Sequence, residues 1–259
     1  MKHRVALCGI CLFALLPWLA CARAAEVHVA VAANFVAPMT PLSKAFTAAT
    51  GHTVKLSSGS TGKFYSQVIA GAPFEVLLSA DDETPARLLR EGHAVAGTAF
   101  TYAIGRLVLW SSQAGVVDAQ GAVLAAGNFK HLAVASAKVA PYGRAALQVM
   151  QARGLTAALT PKLVTAESIA QAYQFVFTGN ADLGFVALSQ LRVPGRPAGG
   201  SQWLVPANLH EPILQDAVLL KAGGKSAAAV AFLAFLKSDG AQAVIQEFGY
   251  VLPQPQPTR

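Results

Sequence analysis

Four short segments place small, hydroxyl or amide residues where an apolar strand gives way to a predicted helix. The segments are Ala32-Ala-Asn-Phe35, Gly59-Ser-Thr-Gly62, Ala140-Pro-Tyr-Gly143 and Thr165-Ala-Glu-Ser-Ile169. A helix N-terminus leaves backbone N–H groups unpaired and carries a partial positive charge. Asn34, Ser60 and Thr61 can add side-chain donors. The chemistry predicted is the capture of a fully deprotonated oxyanion by neutral hydrogen-bond donors.

Helix capping is the alternative explanation for each of these segments. Asn, Ser and Thr are the preferred N-cap residues in proteins of every function. Four such segments, spread over both halves of the chain, favour a binding site without deciding between the two explanations. In open α/β sheets, loops of this kind gather beyond the carboxyl ends of the strands, where ligands bind.

The second segment resembles two known motifs, the phosphate-binding P-loop and the nucleophile elbow, but it matches neither. A phosphate-binding P-loop requires Gly at position 57 and Ser or Thr after Lys63, but the sequence has Ser57 and Phe64. A nucleophile elbow around Ser60 requires a glycine where Ser58 stands. We therefore expect no enzymatic activity, and a periplasmic serine hydrolase using Ser60 is the alternative from another class.

The sequence contains no recognisable metal motif, and we expect no cofactor. The histidines show no paired ligand spacing; they are His3, His28, His52, His93, His131 and His210. The acidic run 79–83 lacks the spacing of a calcium-binding loop, and capping of a helix by Asp81 or Asp82 explains it.

The first 24 residues have the three parts of a secretory signal peptide. Lys2 and Arg4 supply a basic start, an apolar run covers residues 5–20, and Ala22-Arg-Ala24 forms a small-x-small cleavage site. The apolar run is too short for a membrane span. We predict cleavage after Ala24 and a periplasmic location for the mature protein.

All the cysteines lie inside this leader, at positions 8, 11 and 21. Lipid attachment at Cys21 is the competing interpretation, which Trp18 disfavours because lipoprotein signals usually carry Leu three residues before the cysteine. A mature chain without cysteine can form no disulfide and no thiolate metal site.

The composition predicts a folded domain without a nucleic-acid interface. Hydrophobic residues make up 54% of the chain and charged residues 13%, which argues against disorder. The formal charge of +7 falls to +4 when Lys2, Arg4 and Arg23 leave with the signal peptide. The remaining charge is spread along the chain and forms no basic stripe.

Strands and helices alternate at short intervals in both halves of the chain, which predicts an α/β protein. We predict two lobes, with lobe I formed by residues 25–103 and 214–259 and lobe II by residues 104–213. Extended segments near 100–106 and 210–217 should join the lobes and act as a hinge.

A set of motifs, in order along nearly the whole mature chain, resembles the periplasmic molybdate-binding proteins. No motif is specific alone, but the set is. The motifs are Val31-Ala-Ala-Asn-Phe35, Ser58-Gly-Ser-Thr-Gly-Lys63, Ala70-Gly-Ala-Pro73, Leu78-Ser-Ala-Asp81, Ala140-Pro-Tyr-Gly143 and Leu183-Gly-Phe-Val186.

The resemblance implies a type II periplasmic-binding-protein fold: two α/β lobes around a cleft, closing like a hinge. It also implies the substrate-binding component of a molybdate ABC transporter, which hands molybdate, and tungstate, to a membrane permease. Its implied ligands are Asn34, Ser60 and Thr61, with the backbone N–H groups of Tyr142 and Ile169. Molybdenum would enter only as this oxyanion, and we expect a monomer.

One position departs from the family pattern. Some members place a tyrosine hydroxyl on the anion just after the strand that here reads Gly184-Phe-Val-Ala187, and Ala187 has no donor. The number of ligands therefore stays open, as does a role for Tyr142 in place of that tyrosine. A receptor for sulfate or another tetrahedral oxyanion is the alternative within the same class.

Overall fold

The computed structural model describes residues 24–195 and 199–254. The predicted signal peptide and Cys21 lie outside this range, apart from Ala24. Ten strands are present in the described part of the chain. They are β1 (Glu26–Ala32), β2 (Thr53–Gly59), β3 (Val76–Leu78), β4 (Phe100–Gly105), β5 (Leu107–Ser111), β6 (Leu132–Ala135), β7 (Leu163–Ala166), β8 (Leu183–Ala187), β9 (Ser201–Leu204) and β10 (Ile213–Leu219).

The α-helices alternate with these strands, as the sequence pattern predicts. They are α1 (Val36–Thr50), α2 (Thr61–Ile69), α3 (Glu83–Arg90), α4 (Val123–Ala126), α5 (Pro141–Ala152), α6 (Thr156–Leu159), α7 (Ile169–Phe177), α8 (Leu188–Leu191), α9 (Ala227–Leu236) and α10 (Asp239–Glu247).

The strands form two five-stranded sheets, and the predicted α/β fold is confirmed. The first sheet has the order β2-β1-β3-β10-β4 and the second the order β7-β6-β8-β5-β9. In each sheet the first three strands in this order pair in parallel. The fourth strand, β10 or β5, pairs antiparallel with both of its neighbours. The chain passes between the sheets twice, from β4 to β5 and from β9 to β10.

Strand β1 shows how the sequence builds the first sheet. Its side chains alternate between two apolar clusters: Val27, Val29 and Val31 pack on one face and Ala30 on the other. Burial on both faces requires apolar residues at nearly every position, which is the pattern of a parallel strand covered by helices on both sides. The small residue Ala32 at its end leaves room for the loop that follows.

Helix α1 starts irregularly, as Pro38 and Pro41 predict. A single 3-10 turn, Ala33–Phe35, precedes the helix, which then continues through Pro41. It ends at Gly51, whose φ of 73° places it in the left-handed region that glycine adopts without strain.

Helix α2 starts earlier than the sequence pattern predicts. We expected a turn over 59–62 and a helix from Lys63, but the helix begins at Thr61. The N–H of Gly62 donates to the carbonyl of Val139 at 3.0 Å, and a Cβ at position 62 would lie 2.9 Å from the Val139 Cα. This glycine therefore permits close approach of the two lobes rather than a turn.

No single helix of the described ranges is long and apolar enough to cross a membrane. Helices α9 and α10 reach that length only as a pair, across a bend of 63°. Their apolar side chains pack into the core of the first lobe.

We predict that Gly143→Ala destabilises the fold, because the added Cβ would lie 2.1 Å from the carbonyl oxygen of Ala135. Relief of such a contact requires backbone movement, with a cost of about 1–3 kcal/mol. Urea denaturation measures this loss. Gly240→Ala is the matched control, since nothing lies within 4 Å of its Cβ and its helix favours alanine. Equal stability of Gly143→Ala and wild type would contradict the packing described.

Candidate functional site

A small cavity lies between the two lobes, and all five residues predicted from the sequence line it. Asn34, Ser60 and Thr61 come from the first lobe, and Tyr142 and Ile169 from the second. The space between its walls, counted together with the opening to solvent, is about 220 Å³. Its complete lining is Ala32, Ala33, Asn34, Gly59, Ser60, Thr61, Ala80, Ala140, Pro141, Tyr142 and Ile169.

The four predicted segments meet because each follows a strand of a parallel pair. The first two follow β1 and β2, which are parallel neighbours, and the other two follow β6 and β7, also parallel neighbours. The carboxyl ends of parallel strands lie at one edge of a sheet. Each lobe therefore presents two helix starts to the same interlobe space.

The Thr61 hydroxyl is oriented as a donor. Its Oγ1 accepts a hydrogen bond from the backbone N–H of Ala80 at 3.0 Å. Thr61 is 1% exposed, so this bond is shielded from water. With one lone pair occupied by the N–H, the hydroxyl proton remains available for an acceptor in the cavity.

The Ser60 hydroxyl has no hydrogen-bond partner among the described residues. Ser60 is the N-cap residue of α2, but its side chain makes no capping bond, which removes the capping explanation for this hydroxyl. A buried unpaired hydroxyl costs about 1–3 kcal/mol. Such an atom on a cavity wall indicates a partner that is not part of the protein. Within residues 24–195 and 199–254, neither a histidine nor a carboxylate is hydrogen-bonded to Ser60.

Asn34 differs from the expectation of a free side-chain donor. Its Nδ2 donates to Gln215 Oε1 at 2.8 Å and to the Tyr250 hydroxyl at 3.0 Å. Its backbone carbonyl accepts from Ser189 Oγ at 2.8 Å. In this orientation the side-chain amide nitrogen faces Gln215 and Tyr250.

The two residues from the second lobe supply backbone donors. Pro141 is the first residue of α5 and has no N–H, so Tyr142 carries the first available donor of that helix. Ile169 is the first residue of α7, after the capping residue Ser168. Neither the Tyr142 nor the Ile169 N–H donates to any described residue. Both are the unpaired groups expected of a first helical turn.

The Tyr142 hydroxyl points to the hinge. It accepts a hydrogen bond from Gln215 Nε2 at 3.1 Å. A Cβ at position 105 would lie 2.2 Å from it, so only glycine fits there between β4 and β5. The Tyr142 side chain therefore contacts strand β10 through Gln215.

No charged side chain lines the cavity within the described residues. The phenols next to it stay neutral, because burial raises the pKa of Tyr102, Tyr142 and Tyr250. The charges lie at the cleft mouth, where they pair across the lobes. Arg144 donates to Asp81 at 3.1 Å and to Glu83 at 2.9 Å, and Lys63 pairs with Glu167.

The described residues contain no cluster of three or more metal-binding side chains. The acidic run 79–83 has the structural role predicted for it, since Asp81 Oδ1 accepts from the N–H of Thr84 at 3.0 Å and caps α3. Asp82 makes no capping bond.

Comparison with known proteins agrees with this geometry. The family model of bacterial extracellular solute-binding proteins matches residues 27–251. The molybdate-binding protein of Azotobacter vinelandii is 58% identical over 235 residues, which cover 90% of this chain and 93% of the relative. That of Rhodobacter capsulatus is 54% identical over 230 residues, covering 89% and 90%.

The chain belongs to the family of bacterial extracellular solute-binding proteins that includes these molybdate-binding proteins. A solved periplasmic molybdate-binding protein of Azotobacter vinelandii superposes with a TM-score of 0.86 at 44% identity, covering 88% of this chain and all of that one. The sulfate-binding protein SubI of Mycobacterium tuberculosis, with a TM-score of 0.71 at 16% identity and coverage of 90% and 88%, shares the fold.

Sequence reasoning missed the polar residues behind the cavity: Tyr102, Ser189, Gln215 and Tyr250. The clearest available signal was the pair Gln215 and Asp216, two adjacent polar residues in a predicted strand, Ile213–Leu220, whose other residues are apolar. A buried side-chain amide needs hydrogen-bond partners, but the sequence does not say which.

We predict that anion affinity stays constant between about pH 6 and pH 9, for an anion that is itself fully deprotonated there. Among the described residues that line the cavity, Tyr142 alone has a titratable side chain, and burial raises the pKa of this phenol and of the nearby Tyr102 and Tyr250 phenols. Calorimetric titrations at fixed ionic strength across this range are the check. A change in affinity of about tenfold or more would indicate that a charged group holds the anion.

Proposed function

We propose that this chain captures molybdate in the interlobe cavity and delivers it to the membrane permease of an ABC transporter. One observation carries the proposal: unpaired neutral donors from both lobes meet on one uncharged cavity wall. The relatives at 58% and 54% identity are molybdate-binding proteins. The donors are the hydroxyls of Ser60 and Thr61 and the N–H groups of Tyr142 and Ile169.

This donor set suits a dianion that carries no proton. Hydrogen bonds from neutral donors to a charged acceptor are shorter and stronger than bonds between neutral groups. A protonated oxyanion such as hydrogen phosphate would need an acceptor on the wall for its proton. Capture without conversion also fits the site, because Ser60 has no base bonded to it.

Discrimination between molybdate and sulfate should rest on size, because both carry two negative charges. Donors fixed on helix starts and a packed core cannot follow a smaller anion, so sulfate would form longer and weaker hydrogen bonds. Tungstate, with the same shape and charge, should bind as molybdate does. The likeness to a sulfate-binding protein at 16% identity concerns the fold and favours neither anion.

The protein should act in the periplasm as a monomer, after cleavage behind Ala24. The interlobe ion pairs Arg144–Asp81 and Lys63–Glu167 join one lobe to the other within a single chain, so the site needs no second copy. Mass spectrometry of the mature N-terminus would distinguish cleavage after Ala24 from a lipid-modified Cys21.

Calorimetric titration of the mature protein tests the proposal directly. We expect tight binding of one molybdate per chain, with similar binding of tungstate. Sulfate in large excess should displace little of the bound molybdate, since the hydrogen bonds to the smaller sulfate would be stretched. Absence of measurable heat at micromolar protein would refute the proposal, and stronger binding of sulfate than of molybdate would favour the alternative receptor.

Substitution of the donors should weaken molybdate binding. Ser60→Ala and Thr61→Ala should each cost about 1–3 kcal/mol of binding free energy, the range for a hydrogen bond to a charged group. Asn34→Ala keeps its backbone N–H and should weaken binding by removing the side-chain amide beside the cavity. Ser43→Ala is the matched control, because the Ser43 hydroxyl is also buried without a partner but lies on α1, away from the cavity. Equal affinities in all four variants would mean that the anion binds elsewhere.

A further inference from the structure

Behind the cavity lies a buried network of six polar side chains, which the donor set above does not use. It joins both lobes to the hinge strands β4 and β10, and every member is at most 5% exposed. The members are Asn34, Tyr102, Tyr142, Ser189, Gln215 and Tyr250. Gln215 is its centre, with bonds to three other members.

A β-bulge brings Gln215 and Tyr102 together. Gln215 pairs with Ala103 and Asp216 with Thr101, so Tyr102 is an extra residue on β4. Bulges redirect side chains in this way. The Tyr102 hydroxyl consequently lies 3.0 Å from the carbonyl oxygen of Ser79 and 3.1 Å from Gln215 Oε1.

Asn34 connects this network to the cavity. Its Nδ2 faces Gln215 and Tyr250, and its Oδ1 has no hydrogen-bond partner among the described residues. Asn34 lines the cavity, and its side-chain nitrogen faces away from the cavity toward the network, so we infer that Oδ1 is the side-chain atom on the cavity side. A carbonyl oxygen in that place would repel an oxyanion.

The Tyr102 proton indicates that the side-chain amides of Asn34 and Gln215 have a second possible orientation. A phenol has one proton, but Tyr102 faces two acceptors, the Ser79 carbonyl and Gln215 Oε1. A half-turn of each amide exchanges its nitrogen and oxygen and leaves the occupied positions unchanged. With both amides turned, Gln215 Nε2 donates to Tyr102 and to Asn34 Oδ1, and Tyr142 donates to Gln215 Oε1.

The turned arrangement loses one bond elsewhere. The Tyr250 phenol must then donate its own proton to Asn34 Oδ1, across the contact of 3.0 Å. In the first arrangement that proton is donated to the Asn34 backbone carbonyl or to Ser189 Oγ. The hydrogen bond gained at Tyr102 offsets the hydrogen bond lost at Tyr250. The two arrangements are therefore close in energy, and a ligand that contacts only one of them can select it.

We propose that Gln215 is a positioning residue that holds the Asn34 amide with Nδ2 toward the bound anion. Only an amide at position 215 can donate to Asn34 and Tyr102 while it accepts from Tyr142. An oxyanion selects this arrangement because it gains one more donor and loses the repulsion from Oδ1. The proposal rests on the function proposed above and adds a residue that never touches the anion.

A double-mutant cycle tests this role. In Gln215→Met, the Asn34 Nδ2 keeps only Tyr250 as partner, so Oδ1 should remain toward the cavity. We expect molybdate affinity to fall about tenfold, equivalent to about 1.4 kcal/mol. In the Asn34→Ala background the same substitution should have no further effect, because Gln215 acts through Asn34.

The controls separate this role from a structural one. Gln148→Met makes the same replacement at a glutamine that bonds the N–H of Glu211, outside the network, and should leave affinity unchanged. Additive losses in the cycle, or unchanged affinity in Gln215→Met, would overturn the proposal. Failure of the wild type to bind molybdate would instead overturn the proposed function.

Nuclear magnetic resonance on the wild type provides a test that does not depend on folding of the variants. In 15N-labelled protein, saturating molybdate should shift the side-chain amide signals of Asn34 and of Gln215, since both exchange their partners. Backbone shifts at Tyr142 and Ile169 would report binding. Bound anion with both side-chain amide signals unmoved would refute the turned arrangement.

Discussion

The proposed function places one constraint on the structure: a dianion taken out of water must be held without a countercharge. Transfer of an ion into a protein interior is costly unless fixed dipoles replace its hydration shell. A cavity lined by helix starts and hydroxyls provides such dipoles, and the described wall contains no charged side chain. No single lobe has enough of them, so the site exists only when the lobes meet.

Several other features let the two lobes pack together or keep charge away from the cavity. Gly62 allows the lobes to approach closely, and its N–H bonds the Val139 carbonyl across the cleft. Arg144 and Lys63 are paired with acidic residues of the opposite lobe, so the cations near the mouth are already neutralised. The network around Gln215 is neutral because burial keeps its phenols protonated. Neutral polar side chains therefore lie around the cavity, and the paired ionic side chains lie outside its wall.

The local part of this account could be predicted from sequence. Strand periodicity, small residues at strand ends and cap-like residues at helix starts place Asn34, Ser60, Thr61, Tyr142 and Ile169 at strand-to-helix junctions, and the structure brings all five to one cavity. The start of α2 was misplaced because Gly62 suggested a turn. Its actual role depends on Val139, a partner in the other lobe.

Long-range partners could not be predicted. Asn34 bonds residues 181 and 216 positions away, and no local pattern links Asn34 with Gln215 or Tyr250. The sequence offered the Asn34 side chain as a donor but could not show that Gln215 and Tyr250 would engage it. Backbone donors were easier to predict than side-chain donors, because helix geometry alone leaves the first N–H groups unpaired.

A crystal structure of the molybdate complex tests the central claim most directly. The account predicts one anion in the cavity, with oxygens about 2.7–3.2 Å from Ser60, Thr61 and the N–H groups of Tyr142 and Ile169. Lysine and arginine side chains should lie outside contact distance. An anion held by Lys or Arg, or by donors from only one lobe, would contradict it.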